Sequence, residues 1–261
     1  MKKFFIELFH YRDLLLMFTI RDIKVRYKQA FMGFLWAIFM PVIAIFAGLL
    51  IKKIMAIMSG QTMDFRNIVT ISVKVLPWTF FISALRFAVQ SLVSSRDLIT
   101  KIYFPREIIV LSPIFASFFD FFIASIFLTI LLIFAQIGVS FYILFVPVLI
   151  FLLVIFTIGL GLILACANLF YRDVKYIVEV ILMFGIFYTP VFYEADILGK
   201  WRPLLLANPV ASILELLNQV VVLHKQPEIF WLSYSFITAV ITFFIGLIIF
   251  QKKQKIFAES I

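Results

Sequence analysis

Three ionisable side chains lie inside long apolar runs of this 261-residue chain: Arg86, Asp120 and Glu179. A charge placed in hydrocarbon costs on the order of 3 kcal/mol, so such residues face a partner or a water-filled path. Arg86 is about nine residues from one end of its run and Asp120 about thirteen from the matching end of the next. On helices those depths are roughly 14 and 20 Å. A long guanidinium can close the gap, so Arg86 and Asp120 are expected to approach one another between neighbouring spans. Such a pair could fix span packing or meet substrate. Glu179, about five residues into its run, can reach the nearer interface.

Residue sets for covalent or hydrolytic chemistry are missing. No G-x-x-x-x-G-K-[ST] phosphate loop and no Gly-x-Ser-x-Gly elbow occurs. His10 and His224 fall on opposite sides of the membrane in the topology below, and Cys166 is the single cysteine, so neither a zinc cluster nor an intrachain disulfide is expected. Asp64, Glu194 and Asp196 make a poor set for an enzyme acting on polyprenyl lipids. The chain is expected not to be an enzyme, and any work it does draws on a partner or an ion gradient.

The other stretch built for a task is Ser95–Glu107, SRDLITKIYFPRE, between two membrane-length apolar runs. Leu98, Ile99, Ile102 and Tyr103 recur at helical spacing, while Arg96, Asp97 and Lys101 mark another face. Pro105 stops the helix by removing a donor and disfavouring the helical conformation of Phe104. Such a turn of helix can receive a push from outside the membrane; it could equally be a loop with positive-inside charges.

The elements that must position these residues follow from composition. The chain is 64% hydrophobic and 14% charged, against about a quarter charged in soluble domains, which points to an all-α integral membrane protein. The net charge of +9 is then a matter of loop location, and no nucleic-acid partner is expected. Residues 1–30 read as an interfacial amphipathic helix lying on membrane lipids, with Phe5, Leu8, Phe9, Leu15, Leu16, Ile20 and Ile23 near helical period. Its charged, amphipathic start is not expected to be a cleavable leader. The rest, 31–261, reads as a six-helix transmembrane domain, with spans near 31–51, 75–94, 108–135, 142–169, 176–192 and 230–250. An external loop is expected over 52–74. Two short re-entrant or gate helices are expected in 193–229, divided at Asn208-Pro209. Lys and Arg number fifteen on the side of the N-terminal arm, 95–107, 168–175 and the tail, and seven on the other. Both termini are therefore expected in the cytoplasm.

Rings make up 18% of the chain, 34 of them Phe. Most will face lipid or pack helices. The candidates for lining a conduit, or for packing, are Trp78, Phe80 and Phe81 in PWTFF and Phe119 and Phe122 in FFDFF, beside Arg86 and Asp120.

Several segments in order resemble the membrane subunits of ABC transporters that export lipid-linked polysaccharide: the O-antigen, teichoic acid and capsule exporters. Arg21–Val42, RDIKVRYKQAFMGFLWAIFMPV, is similar to that family's approach to its first span. Leu76–Phe81, LPWTFF, resembles the opening of its second, and Leu98–Ile108, LITKIYFPREI, its coupling segment. NLFYRDVK from Asn168, YTPVFY from Tyr188 and LANPV from Leu206 resemble its later elements. The resemblance implies a permease in a bacterial cytoplasmic membrane, working as a homodimer with two copies of a separate ATPase. ATP and magnesium would bind that ATPase, and no cofactor would bind this chain. Arg96, Asp97, Leu98, Lys101, Tyr103, Phe104, Pro105 and Arg106 would form the coupling helix. Arg21, Asp22, Lys24, Arg26 and Tyr27 would form a second contact with the ATPase. Arg172 and Asp173 would mark a cytoplasmic loop, and Tyr193, Asn208 and Pro209 an external gate. The cargo would be a glycan on a lipid; an exporter of small lipophilic molecules is the alternative. One departure stands out: the family often has Gly shortly before Pro-Trp, where this chain has Lys74, Val75 and Leu76.

Overall fold

The computed structural model describes residues 2–28, 31–59, 65–101 and 104–257. Among them every regular element is helical: α1 (Lys2–His10), α2 (Arg12–Tyr27), α3 (Leu35–Ser59), α4 (Phe65–Ser94), α5 (Arg96–Lys101), α6 (Glu107–Phe134), α7 (Val146–Phe170), α8 (Val174–Tyr188), α9 (Arg202–Leu206), α10 (Pro209–Val221) and α11 (Ile229–Lys253). Short 3-10 turns precede α7 and α9 and follow α11.

Five of these helices are long and apolar enough to cross a membrane: α3, α4, α6, α7 with its leading turn, and α11. The expected span at 176–192 is instead the 15-residue α8, about 23 Å long and short of a hydrocarbon core of about 30 Å. It ends because Thr189, which precedes Pro190, is pushed into an extended conformation (φ −106°, ψ 127°). The backbone still travels further. Near one end of α4, Asn168 Nδ2 donates to Val89 O while its Oδ1 accepts from Lys175 N at the start of α8. Gly185 then packs on Trp78, and Tyr193 O accepts from Lys74 Nζ. From Lys175 to Tyr193 the chain therefore follows α4 from Val89 to Lys74, about 22 Å of rise.

The expected loop over 52–74 is mostly helix, since α3 runs on to Ser59 and α4 starts at Phe65. Lys52 and Lys53 end the apolar run but not the helix, because their stems can lie along apolar surface with the ammonium groups outward. The N-terminal arm is two helices, broken at Tyr11 (φ −97°, ψ 21°). A turn with Gly33 at φ +50° leads into α3.

The central helix is α4. Of its most apolar window 78% is buried, against 22% in α3 and in α11. Its Val69, Ala84, Ala88 and Leu92 are fully enclosed. α7 and α11 cross closely because each offers a glycine: a Cβ on Gly159 would lie 2.6 Å from the Phe243 backbone, and one on Gly246 2.4 Å from Gly159 O. Gly246→Leu should cost about 1–3 kcal/mol through overpacking, read as a lowered melting temperature in detergent. Gly138→Leu, at a position where a Cβ meets nothing within 4 Å, should leave the melt unchanged.

Candidate functional site

Two ends of the bundle carry organised polar contacts. At the α5 end, α2 is held against α6. It packs along the first turns of α6, and side chains fix it there. Ser112 Oγ donates to Asp22 Oδ2 at 2.7 Å. Arg26 Nη1 donates to Asp120 Oδ2 at 2.8 Å, and its Nη2 to Pro113 O and Ser117 Oγ, each at 3.1 Å. Tyr27 OH donates to Asp120 Oδ1 at 2.7 Å. The Arg26 guanidinium also lies over the Phe87 ring, 3.9 Å from its centroid. Burial, reinforced by the bond to Asp120, pushes the Tyr27 phenol well above its ordinary value, so it remains a donor at physiological pH.

The expected Arg86–Asp120 pair is therefore not formed. Both Asp120 oxygens are taken by α2, and Arg86 is exposed, with no hydrogen bond or ion pair among the described residues. The expectation failed because it considered only the charges inside the spans, whereas α2 brings Arg26 and Tyr27 to both Asp120 oxygens. Arg21 closes on its neighbour Asp22 at 2.8 Å and over the Phe18 ring. Lys24 is exposed.

In the coupling stretch, Arg96 and Asp97 stand exposed at the start of α5, Leu98 is half-buried and Ile99 is buried. Lys101 is the last residue of α5, and Tyr103 lies outside the described residues. Phe104 is buried edge-on against Phe18 of α2, their centroids 5.8 Å apart. After Pro105, the Arg106 Nη1 donates to Gln254 O beyond α11, and its guanidinium lies over Phe257. Phe257 in turn packs edge-on against Phe250 and Phe170. The chain thus ties α2, the α5–α6 junction, and the ends of α7 and α11 into one unit. Arg172 and Asp173 sit exposed in the turn before α8, where the Asp173 carbonyl receives the first amides of that helix.

Between α2, α3, α4 and α6 is an apolar cleft of about 500 Å³, with Arg26, Tyr27, Trp36, Thr79, Ser83 and Asp120 in its walls. The proposed conduit rings divide. Trp78, Phe80 and Phe81 are buried inside the chain; Phe80 packs against Phe118 and Phe121, and Phe81 stacks on Phe156. Phe119 and Phe122 are exposed on α6. The PWTFF rings are packing here, because α4 is enclosed where they occur.

The α10 end is held by a second set. Asn208 caps α10, its Oδ1 accepting from Val210 N while its Nδ2 donates to Thr189 Oγ1 at 3.0 Å. Pro209 at the first helical position needs no donor there. The Thr189-Pro190 segment and the Asn208-Pro209 segment are thereby linked directly. Tyr193 OH donates to Phe187 O. Beneath them, Lys74 Nζ lies 2.7 Å from Glu215 Oε2, both side chains almost wholly buried. Glu215 and Thr189 were missed from sequence, although Glu215 is the lone acid in the apolar run of α10, at the same end as the out-of-place Lys74.

Outside this pair, Arg202 Nε lies 2.8 Å from Asp196, and its two Nη atoms bond both oxygens of Glu228, which also accepts from Gln219 Nε2. The Arg202 hydrogen bond holds the Glu228 carboxyl below its ordinary value of 4.5. A depressed carboxyl stabilises the fold fully above the unfolded value and loses that contribution as pH falls through the folded one. The melting temperature should stay level down to about pH 5 and then fall, with a shallower fall in Glu228→Gln.

A family model described as ABC-2 type transporter matches residues 13–222. The chain is 27% identical over 258 residues to an O-antigen export system permease protein RfbA of Myxococcus xanthus, covering 98% of each chain. It is 28% identical over 249 residues to one of Klebsiella pneumoniae, covering 95% of this chain and 94% of that one. A further Klebsiella pneumoniae permease of the same name is 28% identical over 254 residues.

Proposed function

Because the chain belongs to the ABC-2 type transporter family, we propose that it is the transmembrane subunit of an ATP-driven exporter that carries a lipid-linked polysaccharide across the bacterial inner membrane. Family membership makes it a transport subunit partnered with an ABC ATPase. Full-length similarity to permeases named for O-antigen export supports the cargo class. In this reading two copies of the chain form the conduit above two ATPases. The ATPases bind the ATP and magnesium, and the permease binds no cofactor. α8 with the non-helical 189–193 segment makes a sixth crossing, so both termini and the α5 end lie in the cytoplasm and the α10 end lies outside.

The observation that carries the mechanism is the tied unit at the α5 end. A push on Arg96, Asp97 and Lys101 reaches α6 directly through the Pro105 turn. It reaches α2 through Phe104 and Phe18, and α11 through Arg106 and Gln254. Interiors packed at crystal-like density pass such displacements on rather than absorb them. ATP closure of the partner would therefore tilt α4 and α6 together and open the seam between protomers.

Copurification with the cognate ATPase, followed by mass spectrometry of the retained lipid, tests the reading: a polyprenyl- or glycolipid-linked glycan is expected, and a small lipophilic molecule alone would refute the cargo class. Exchanging charge at the lever, Asp97→Lys with Lys101→Asp, should leave ATP hydrolysis running while glycan export stops. Normal glycan display by that variant would contradict the force path.

A further inference from the structure

The core of α4 is enclosed, but one of its faces is not. Thr79, Ser83, Arg86, Gln90 and Ser94 fall at spacings of four, three, four and four residues, which places them in a single stripe along the helix. Arg86, Gln90 and Ser94 are exposed, and Thr79 and Ser83 are half-buried. From Ser94 to Thr79 the stripe runs about 22 Å, with Arg86 about 12 Å in. The opposite face of the same helix holds Leu85, Val89 and Leu92, all buried.

A continuous polar stripe is costly against lipid tails and is expected against water or a polar cargo. Its hydroxyls are oriented: Thr79, Ser83 and Ser94 donate to Leu76 O, Phe80 O and Ser91 O. Their hydrogens are spent on the backbone, so they offer acceptor lone pairs outward. That suits the hydroxyl hydrogens of a sugar. Thr79 and Ser83 also wall the cleft beside Arg26, where the Arg26 fork is already engaged by Asp120, Ser117 and Pro113. Arg86 is the cation of the stripe. Glu179 is exposed on α8, the helix that follows α4 from Val89 to Trp78.

We propose that this α4 stripe is the wall along which the head of a lipid-linked glycan moves, with the Arg86 guanidinium receiving its phosphate. The inference rests on the export reading above and adds the surface and the chemical group recognised. A guanidinium fork matches phosphate oxygens in a bidentate fashion, and the acceptors above and below it match the sugar.

Two measurements test it, both on the permease reconstituted with its ATPase. Single cysteines at Thr79, Ser83, Arg86 and Gln90, in a Cys166→Ala background, should react with a membrane-impermeant thiosulfonate. A cysteine at Ile126, exposed on the apolar face of α6, should react only with a lipid-soluble maleimide. If the stripe cysteines behave like Ile126→Cys in proteoliposomes that still export glycan, the wall is elsewhere and the export reading survives. If the unaltered complex exports no glycan, that reading itself fails.

The second measurement titrates ATPase stimulation with a polyprenyl diphosphate-linked oligosaccharide. Arg86→Gln should raise the half-saturating concentration about tenfold, the loss of one charge-assisted contact, while Arg86→Lys stays within about threefold and Glu179→Gln is unchanged. Equal responses of Arg86→Gln and the unaltered protein would overturn the phosphate role. So would a shift in Glu179→Gln as large as that in Arg86→Gln, which would make the two residues an ion pair between copies.

Discussion

Lys74→Ala should sharply destabilise the α10 end. The ammonium is fully buried and its partner Glu215 nearly so. Removing the cation leaves a carboxylate without water or counter-charge, a loss of about 3–5 kcal/mol in such settings. That is a large part of the roughly 5–15 kcal/mol that holds a folded domain together. The Tyr193 carbonyl loses a donor in the same step, so the 189–193 segment should loosen with α10. Intrinsic fluorescence melts in detergent should show a lower transition, and hydrogen exchange should rise first in 189–221. The double variant Lys74→Met, Glu215→Leu removes both charges and should recover most of the melting temperature, because well-packed apolar replacements of buried pairs are often neutral. A single variant that melts with the unaltered protein would show that the pair holds nothing.

Asp120→Ala should be the second large loss, with a different signature. It frees Arg26 and Tyr27 together, and Arg26 keeps only Pro113 O, Ser117 and the Phe87 ring. A half-buried guanidinium then lacks its counter-charge, at a cost on the order of 3 kcal/mol. The damage should be local, because α7 and α11 pack on each other through Gly159 and Gly246, away from Asp120. Hydrogen exchange should rise through 12–27 and little in α7 or α11, and export should fail while the partner continues to hydrolyse ATP. Arg26→Lys should be a partial loss, since an ammonium cannot make the forked contacts to Asp120, Pro113 and Ser117. The paired exchange Arg26→Asp, Asp120→Arg should restore part of the α2 protection; no recovery would mean that the orientation of the fork matters more than its charge.

Much of the architecture was legible because membrane length and apolar composition are strong signals. The runs that became α3, α4, α6, α7 and α11 could be marked from hydropathy alone. Their ends could not, since Lys52 and Lys53 end an apolar run without ending a helix. The end of α8 was misplaced for a related reason: Val191 and Phe192 read as helix, while Pro190 had already forced Thr189 out of it. The coupling stretch was readable because Pro105 and its helical spacing are local features. The contacts that give it purpose are not local. Arg26 and Asp120 are 94 residues apart, Lys74 and Glu215 141, and Arg106 and Gln254 148. No periodicity carries such pairings. The polar stripe of α4 was present in the sequence as spacing, but only the burial of the opposite face makes it a surface.

In the proposed mechanism this chain has no motor of its own and passes force from an ATPase through the α5 end to a two-copy conduit. The mechanism is tested most directly by proteoliposomes loaded with a lipid-linked glycan, containing the permease alone, with its ATPase, or with its ATPase and the Asp97→Lys, Lys101→Asp exchange. Translocation is expected only in the second preparation and only with hydrolysable ATP, with hydrolysis but no translocation in the third. Glycan crossing in the first preparation, or undiminished crossing in the third, would contradict the account.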